Sequence, residues 1–345
     1  MKKILVIGGA GFLGSNLVRR CLIDTGNQVT VVDSLDPHFQ SEIDNLTDVW
    51  SQIQFVRGDM RDRALMDELV GGQDIIFNCA AQTSHPLSLK APLLDAEINC
   101  IGTLTLLEAV REHNRRAVVV YPSSSTVIGR APETLIDEDH NERPFDIYSA
   151  NKSVAEKYHL IYNVVHDIKT VVLRFANLYG PYGKGSPEFG FINYFITQAW
   201  NGKDITVYGN GQQTRNAMFV DDAAEILYRS VSNPSLFGKV LFAAHNEHLG
   251  VLEIARKIVS AFGRGRVVNV EWPDVRRRIE IDNVRISSAR LRFLTGWEPR
   301  YGFDEGLART REIMERKVCC DQPVSYRSAG AYRFEAHTRD LTQPR

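Results

Sequence analysis

At 345 residues the chain is longer than one ordinary domain and shorter than three, so two lobes or one enlarged α/β domain is expected. With 43% apolar and 24% charged residues it has a globular composition, able to bury a substantial core. The formal net charge of −1 argues against nucleic acid or an anionic membrane as the main partner, and no apolar run approaches the ~18 residues that would span a bilayer.

The chain opens on MKKILVIGGAGFLG. Two lysines before an apolar run resemble the start of a signal peptide, but the run is short and closes on glycines where a cleavage site would be needed. KILVIGG is read instead as a strand buried on both faces, followed by the helix GSNLVRRCLID. QVTVVD, IQFVRGD and DIIFNCAA are the next strands, DAEINCIGTLTLLEAVREH a helix, and AVVVYPSSS a further strand. This alternation predicts a doubly wound parallel α/β sheet. A long helix, YSANKSVAEKYHLIYNVVH, and the strand KTVVLRFANLYG follow. Beyond Pro181 the texture turns glycine- and proline-rich, so a smaller second lobe is expected over 178–217 and 246–317. MFVDDAAEILYRSVS is predicted to return to the first lobe, which then comprises 1–177 and about 218–245. Residues 318–345 lack apolar periodicity and read as a flexible tail.

Cys21, Cys79, Cys100, Cys319 and Cys320 are odd in number and lack metal-ligand spacing. Free thiols in a reducing compartment, hence the cytoplasm, and no metal site are expected. Cys79 and Cys100 sit in apolar stretches and are read as core.

Gly8-x-x-Gly11-x-x-Gly14, with Phe12 and Leu13 in the same turn, follows the first strand and opens the first helix. Such glycines can serve a turn without any ligand. In a strand–turn–helix they also let the backbone approach a pyrophosphate at a helix N-terminus, and a dinucleotide site is the expectation. Asp33 ends the second strand, where a carboxylate can accept from adenosine ribose hydroxyls. Ser34, Leu35 and Asp36 follow, with no local cation for a 2′-phosphate. At about 4 Å and an effective dielectric of about 20, Asp33 would repel each phosphate charge by roughly 4 kcal/mol, about a thousandfold against NADP. Asp59 and Met60 suit the adenine edge, and Ala80 and Ala81 are small residues beside the cofactor.

Tyr148 and Lys152 stand four residues apart on one helical face, after a strand ending in Ser123, Ser124, Ser125 and Thr126. That pair alone is commonly an exposed helix pair. Here the chemistry is apt: oxidising a secondary alcohol with NAD requires a base for the hydroxyl proton. Bringing a tyrosine from its ordinary pKa of ~10 to near 7 takes about 4 kcal/mol, the order one nearby cation supplies. A serine hydroxyl donating to the same oxygen completes the set. His85, in QTSHP, is read as a loop residue rather than as a further acid or base.

GGAGFLGSN, Asp33, GDMRD, NCAAQ, EINCIGTLTLLEA, SSSTVIG, YSANK and RFANLYGP, in this order, resemble the extended short-chain dehydrogenase/reductases over about residues 1–315. The resemblance implies a Rossmann first lobe holding NAD and a smaller C-terminal lobe holding a nucleotide-diphosphate sugar. It implies Tyr148 as base, Lys152 on the nicotinamide ribose, Ser124 on the sugar hydroxyl and Asn99 near the nicotinamide. Asn177 and Arg215 match substrate-diphosphate contacts, Tyr208 can pack on the nucleobase, and Arg276, Arg277 or Arg278 matches a second phosphate contact. A homodimer built on the EINCIGTLTLLEA and YSANKSVAEKY helices is also implied.

Within the family, 4,6-dehydratases carry an Asp-Glu pair after the serine, and decarboxylases a Glu at the second of those positions. This chain has Ser125 and Thr126, closest to UDP-glucose and UDP-glucuronate 4-epimerases. NCAAQTS with DAEINCIGTL also resembles the CDP-tyvelose 2-epimerases. The leading expectation is a UDP-sugar 4-epimerase; a 2-epimerase, a decarboxylase or another family member, and remotely a catalytically silent NAD-binding regulator, are the alternatives.

Overall fold

The computed structural model describes residues 1–39, 41–129, 135–273 and 283–320. Seven parallel strands form the main sheet: β1 (Lys3–Ile7), β2 (Gln28–Asp33), β3 (Ile53–Arg57), β4 (Ile75–Asn78), β5 (Val118–Ser124), β6 (Lys169–Phe175) and, later in the chain, β10 (Lys239–Ala243). Their spatial order is β3-β2-β1-β4-β5-β6-β10. The order reverses between β1 and β4, which opens a crevice at the carboxyl ends of those strands. Alternate residues of β1 serve both faces, as a doubly covered strand requires: Ile4 and Val6 join one core, Leu5 and Ile7 the other.

Helices α1 (Phe12–Ile23), α2 (Arg63–Val70), α3 (His85–Lys90), α4 (Pro92–Ala96), α5 (Thr103–His113) and α6 (Ile147–His166) accompany this sheet. The single helix expected over 95–113 is instead α4 and α5 joined through a wide π-helical turn, Glu97–Gly102, that includes Asn99. α6 is held at its start by Asp146, whose side chain accepts from Ser149 N–H, and stops where Asp167 turns left-handed at φ 57°.

KTVVLRFANLYG forms two strands rather than one. β6 ends at Phe175, and β7 (Asn177–Tyr179) leaves for a three-stranded sheet with β9 (Thr214–Phe219) and β11 (His248–Gly250). β8 (Ile205–Tyr208) pairs with β12 (Val267–Val270). With α7 (Phe191–Trp200), α9 (Val251–Phe262) and α11 (Phe303–Cys320) these build a second core around Phe195, Ile254 and Leu307. α8 (Val220–Ser230) packs back on α1, and β10 edges the main sheet.

Two sequence expectations need correction. The stretch 246–317 does not lie wholly in the second lobe: α10 (Ala289–Thr295) and the residues after it place Leu291 and Trp297 in the core of the first. Residues 318–320, expected in a flexible tail, belong instead to α11, which continues to Cys320. Residues 321–345 lie outside the described region. Among the described residues, no helix is long and apolar enough to cross a membrane, and Cys21, Cys79 and Cys100 are free thiols.

Candidate active site

A cleft of about 790 Å³ runs from the β1–α1 turn past the end of β5 to the second lobe. The glycines at its floor answer to packing as well as to a ligand. A Cβ on Gly8, at φ +75°, would meet Ala80 N at 2.5 Å, and one on Gly14 would meet the Gly8 carbonyl at 2.1 Å. Gly11 is under less pressure, its nearest contact being 3.3 Å, and it leaves the start of α1 open to the cleft without a side-chain cap. Phe12, Leu13, Ala80 and Ala81 line the same space. An uncapped helix start with free N–H groups, under a turn too tight for any Cβ, suits a pyrophosphate.

Asp33 ends β2 at the cleft, its oxygens accepting from Ala10 N–H at 3.0 Å and Leu35 N–H at 2.9 Å. Burial raises its pKa against those hydrogen bonds. Its neighbours in sequence, Ser34, Leu35 and Asp36, supply no cation, but Lys184 of the second lobe reaches this end of the cleft, where its charge favours the Asp33 carboxylate. Burial lowers Lys184 to about 8. Asp59 and Met60 also line the cleft. Burial opposes the Asp59 charge, but Arg61, bonding it at 2.7 and 3.0 Å, holds its carboxyl below the usual range.

Asn99 is placed differently from expectation. It is buried and absent from the cleft wall, where its neighbour Ile98 stands. It accepts from Gln82 N–H at 3.1 Å and donates to the Gln82 carbonyl at 3.0 Å, clamping the turn that follows Ala80 and Ala81. Asp95 accepts a third Asn99 bond, together with bonds from the Gln82 and Asn151 side-chain amides.

Tyr148, Ser124 and Lys152 come together at the middle of the cleft. The Ser124 hydroxyl bonds the Tyr148 side chain and lies 2.8 Å from Thr126 Oγ1, which in turn accepts from Ser149 at 2.9 Å. Lys152 Nζ donates to the Pro122 carbonyl at 2.7 Å and stands 4.0 Å over the Tyr121 ring. Burial lowers Lys152 to about 8, partly offset by Glu156 one turn on. Burial raises Tyr148 well above an ordinary phenol, opposed by the Ser124 hydrogen bond and aided by the charges of Asp95 and Asp146. Tyr148 is therefore a protonated phenol in this geometry, and a base only when further positive charge arrives beside it.

Ser125, Asn177 and Arg215 line the cleft. Asn177 donates to the Asn216 carbonyl at 3.1 Å, and Arg215 to the Thr214 carbonyl at 2.8 Å. Tyr208 does not line it; its ring packs on Trp272 at 5.3 Å instead. Arg276, with Arg277 and Arg278, lies outside the described residues. His85 is not a loop residue: it starts α3, lines the cleft and meets the Tyr148 ring edge-on at 4.8 Å. Asp146, 61 residues away, bonds it, a partner that no local signal announces.

Comparison with known proteins places these features in context. Residues 4–240 match the model of the NAD dependent epimerase/dehydratase family. The chain is 33% identical over 317 residues to a dTDP-glucose 4,6-dehydratase of Streptomyces niveus, covering 90% of this chain and 92% of that one. It is 31% identical over 318 residues to a UDP-glucose 4-epimerase of Mycolicibacterium smegmatis, covering 91% and 99%. The crystal structure of a Thermus thermophilus UDP-glucose 4-epimerase complexed with NAD superposes with a TM-score of 0.80 at 28% identity, over 91% of this chain and 99% of that one.

Proposed function

Because the chain belongs to the NAD-dependent epimerase/dehydratase family, we propose that it is a nucleotide-sugar 4-epimerase acting on a UDP-sugar. The cofactor is NAD, which when bound accepts a hydride from the sugar carbon and returns it. Gly8, Gly11, Gly14 and Asp33 hold it, by the open start of α1 and the ribose-facing carboxylate.

The chain's own part is proton handling and orientation. Tyr148 takes the sugar hydroxyl proton and gives it back, with Ser124 donating to the same oxygen. Lys152, fixed by Pro122 and Tyr121, keeps a positive charge one turn from Tyr148 on the same helix face. Asn177 and Arg215 face the substrate from the second-lobe side of the cleft, the guanidinium suiting a phosphate.

The observation that carries this reading is the hydroxyl cluster Ser124–Thr126–Ser149. Residues 125 and 126 provide no carboxyl to protonate a leaving hydroxyl, and inversion of a hydroxyl-bearing carbon needs none. The test is proton NMR of the purified enzyme with UDP-glucose, UDP-glucuronate and UDP-N-acetylglucosamine separately, without added cofactor. A 4-epimer from one of them is expected. Release of carbon dioxide, a stable keto-sugar, or silence with all three counts against inversion at C4.

Two accompanying proposals concern assembly and place. Ile101, Val154, Ile161, Val164 and Val165 are exposed apolar residues on the π-turn and α6, which supports a homodimer through those helices. A monomer by light scattering would rule it out. The free thiols Cys21, Cys79 and Cys100 support the cytoplasm, which fractionation of the producing cells would check.

A further inference from the structure

Beyond inversion at C4, we infer that His85, pinned by Asp146, is a second proton-transfer residue of the cleft, removing a proton from the carbon beside a sugar ketone. The inference rests on the reading of the cleft as a nucleotide-sugar site.

His85 Nδ1 and Asp146 Oδ2 are 2.5 Å apart. The other carboxylate oxygen accepts from Ser149 N–H at 2.8 Å, so the acid is anchored at the first turn of the helix that carries Tyr148 and Lys152. Burial opposes the Asp146 charge, but the bonds from His85 and Ser149 hold its carboxyl below the usual range. Donation of Nδ1–H to a carboxylate selects one imidazole tautomer and leaves the Nε2 lone pair as the acceptor. Among the described residues none hydrogen-bonds Nε2. His38, His113 and His140 also pair with carboxylates, but none of them lines the cleft. The His85 side chain is 42% exposed, open to the cleft rather than sealed in a core.

Tyr148 and Ser124 supply the other half of the reaction. Their side chains bond each other at the cleft, so Ser124, and Tyr148 whenever its phenol holds a proton, can donate to an oxygen seated there. A carbonyl oxygen seated there has its neighbouring C–H groups two bonds away, beside the wall that His85 forms against the Tyr148 ring. The step balances without a redox partner. The C–H bond breaks and its proton goes to Nε2. Its electron pair becomes the C=C bond of an enolate, and the former carbonyl π pair rests on the oxygen that Tyr148 and Ser124 bond. Reversal returns a proton from the imidazolium, which exchanges with water. The enzyme would thereby exchange hydrogen at C3 or C5 of a 4-keto sugar, chemistry that a pure C4 inversion does not contain.

The probe is dTDP-4-keto-6-deoxyglucose in deuterium oxide, which already bears the ketone and needs no hydride transfer. Proton NMR should show loss of the C3 or C5 signal faster with the wild-type enzyme than in protein-free solution. His85→Gln should slow this enzymatic exchange by about 100-fold, the span of one general base. Asp146→Asn keeps a good helix cap while removing the charge and should slow it as well. Circular dichroism and melting temperature matching the wild type would show that both variants fold. A wild-type rate equal to protein-free solution, or an undiminished rate in His85→Gln, overturns the inference. The UDP-sugar experiment tests C4 inversion alone, so either result can fail while the other stands.

Discussion

Lys152 donates its ammonium hydrogen to the Pro122 carbonyl at 2.7 Å, and that single bond decides where the buried charge of α6 sits. The cation is satisfied by a backbone dipole and by the Tyr121 ring rather than by a carboxylate. Burial therefore dominates and brings Lys152 from 10.5 to about 8.

This has a pH signature. Between about pH 8 and 10.5 the unfolded chain keeps the proton that the folded chain has released, so stability rises with pH across that window. Below about pH 8 the lysine is charged in both states and the full cost, of order 3 kcal/mol, is present. Urea unfolding of wild type and Lys152→Met should show the wild-type deficit shrinking as pH rises through the window. A difference independent of pH would contradict the burial argument.

Tyr148→Phe should lower turnover by orders of magnitude while leaving NAD bound, since the ring stays and only the hydroxyl is lost. Parallel NMR turnover and cofactor-content measurements separate the two effects. Near-normal turnover would remove Tyr148 as the base.

Asp33→Asn should erode the preference for NAD over NADP, by up to the roughly thousandfold expected from charge repulsion. Lys184, close by in the cleft, should then assist the 2′-phosphate, and the double variant Asp33→Asn/Lys184→Met should regain less NADP affinity. Titration of both cofactors gives the ratio directly. An unchanged ratio would mean that Asp33 does not face the ribose.

Gly8→Ala places a methyl group 2.5 Å from Ala80 N on a backbone at φ +75°. Strain at that φ alone costs roughly 1–3 kcal/mol, and the clash with backbone adds to it. A melting temperature unchanged from the wild type would show that the β1–α1 turn can shift away from β4.

Much of the fold could be read because each strand carries its own instructions. A run such as KILVI needs two apolar faces, and the only common way to provide them is a parallel sheet covered by helices. Local pattern and tertiary demand diverge at two places. RFANLYG carries one continuous strand-like pattern, yet β6 and β7 belong to different sheets. Ala289–Thr295 has nothing that distinguishes a second-lobe helix from one returning Leu291 to the first core.

By itself the sequence determined the glycine turn between β1 and α1, the acid that ends β2, and the Tyr148–Lys152 pair, because each is a short-range arrangement. Glycines must sit where a strand becomes a helix, and residues four apart on a helix must share a face. Only the tertiary structure decided that His85 meets Asp146, that Lys184 reaches the end of the cleft occupied by Asp33, and that Asn99 clamps a turn instead of lining the cleft. Those relationships depend on how lobes and loops pack across the crevice. Packing sums many weak apolar contacts spread along the whole chain, and no short segment encodes that sum.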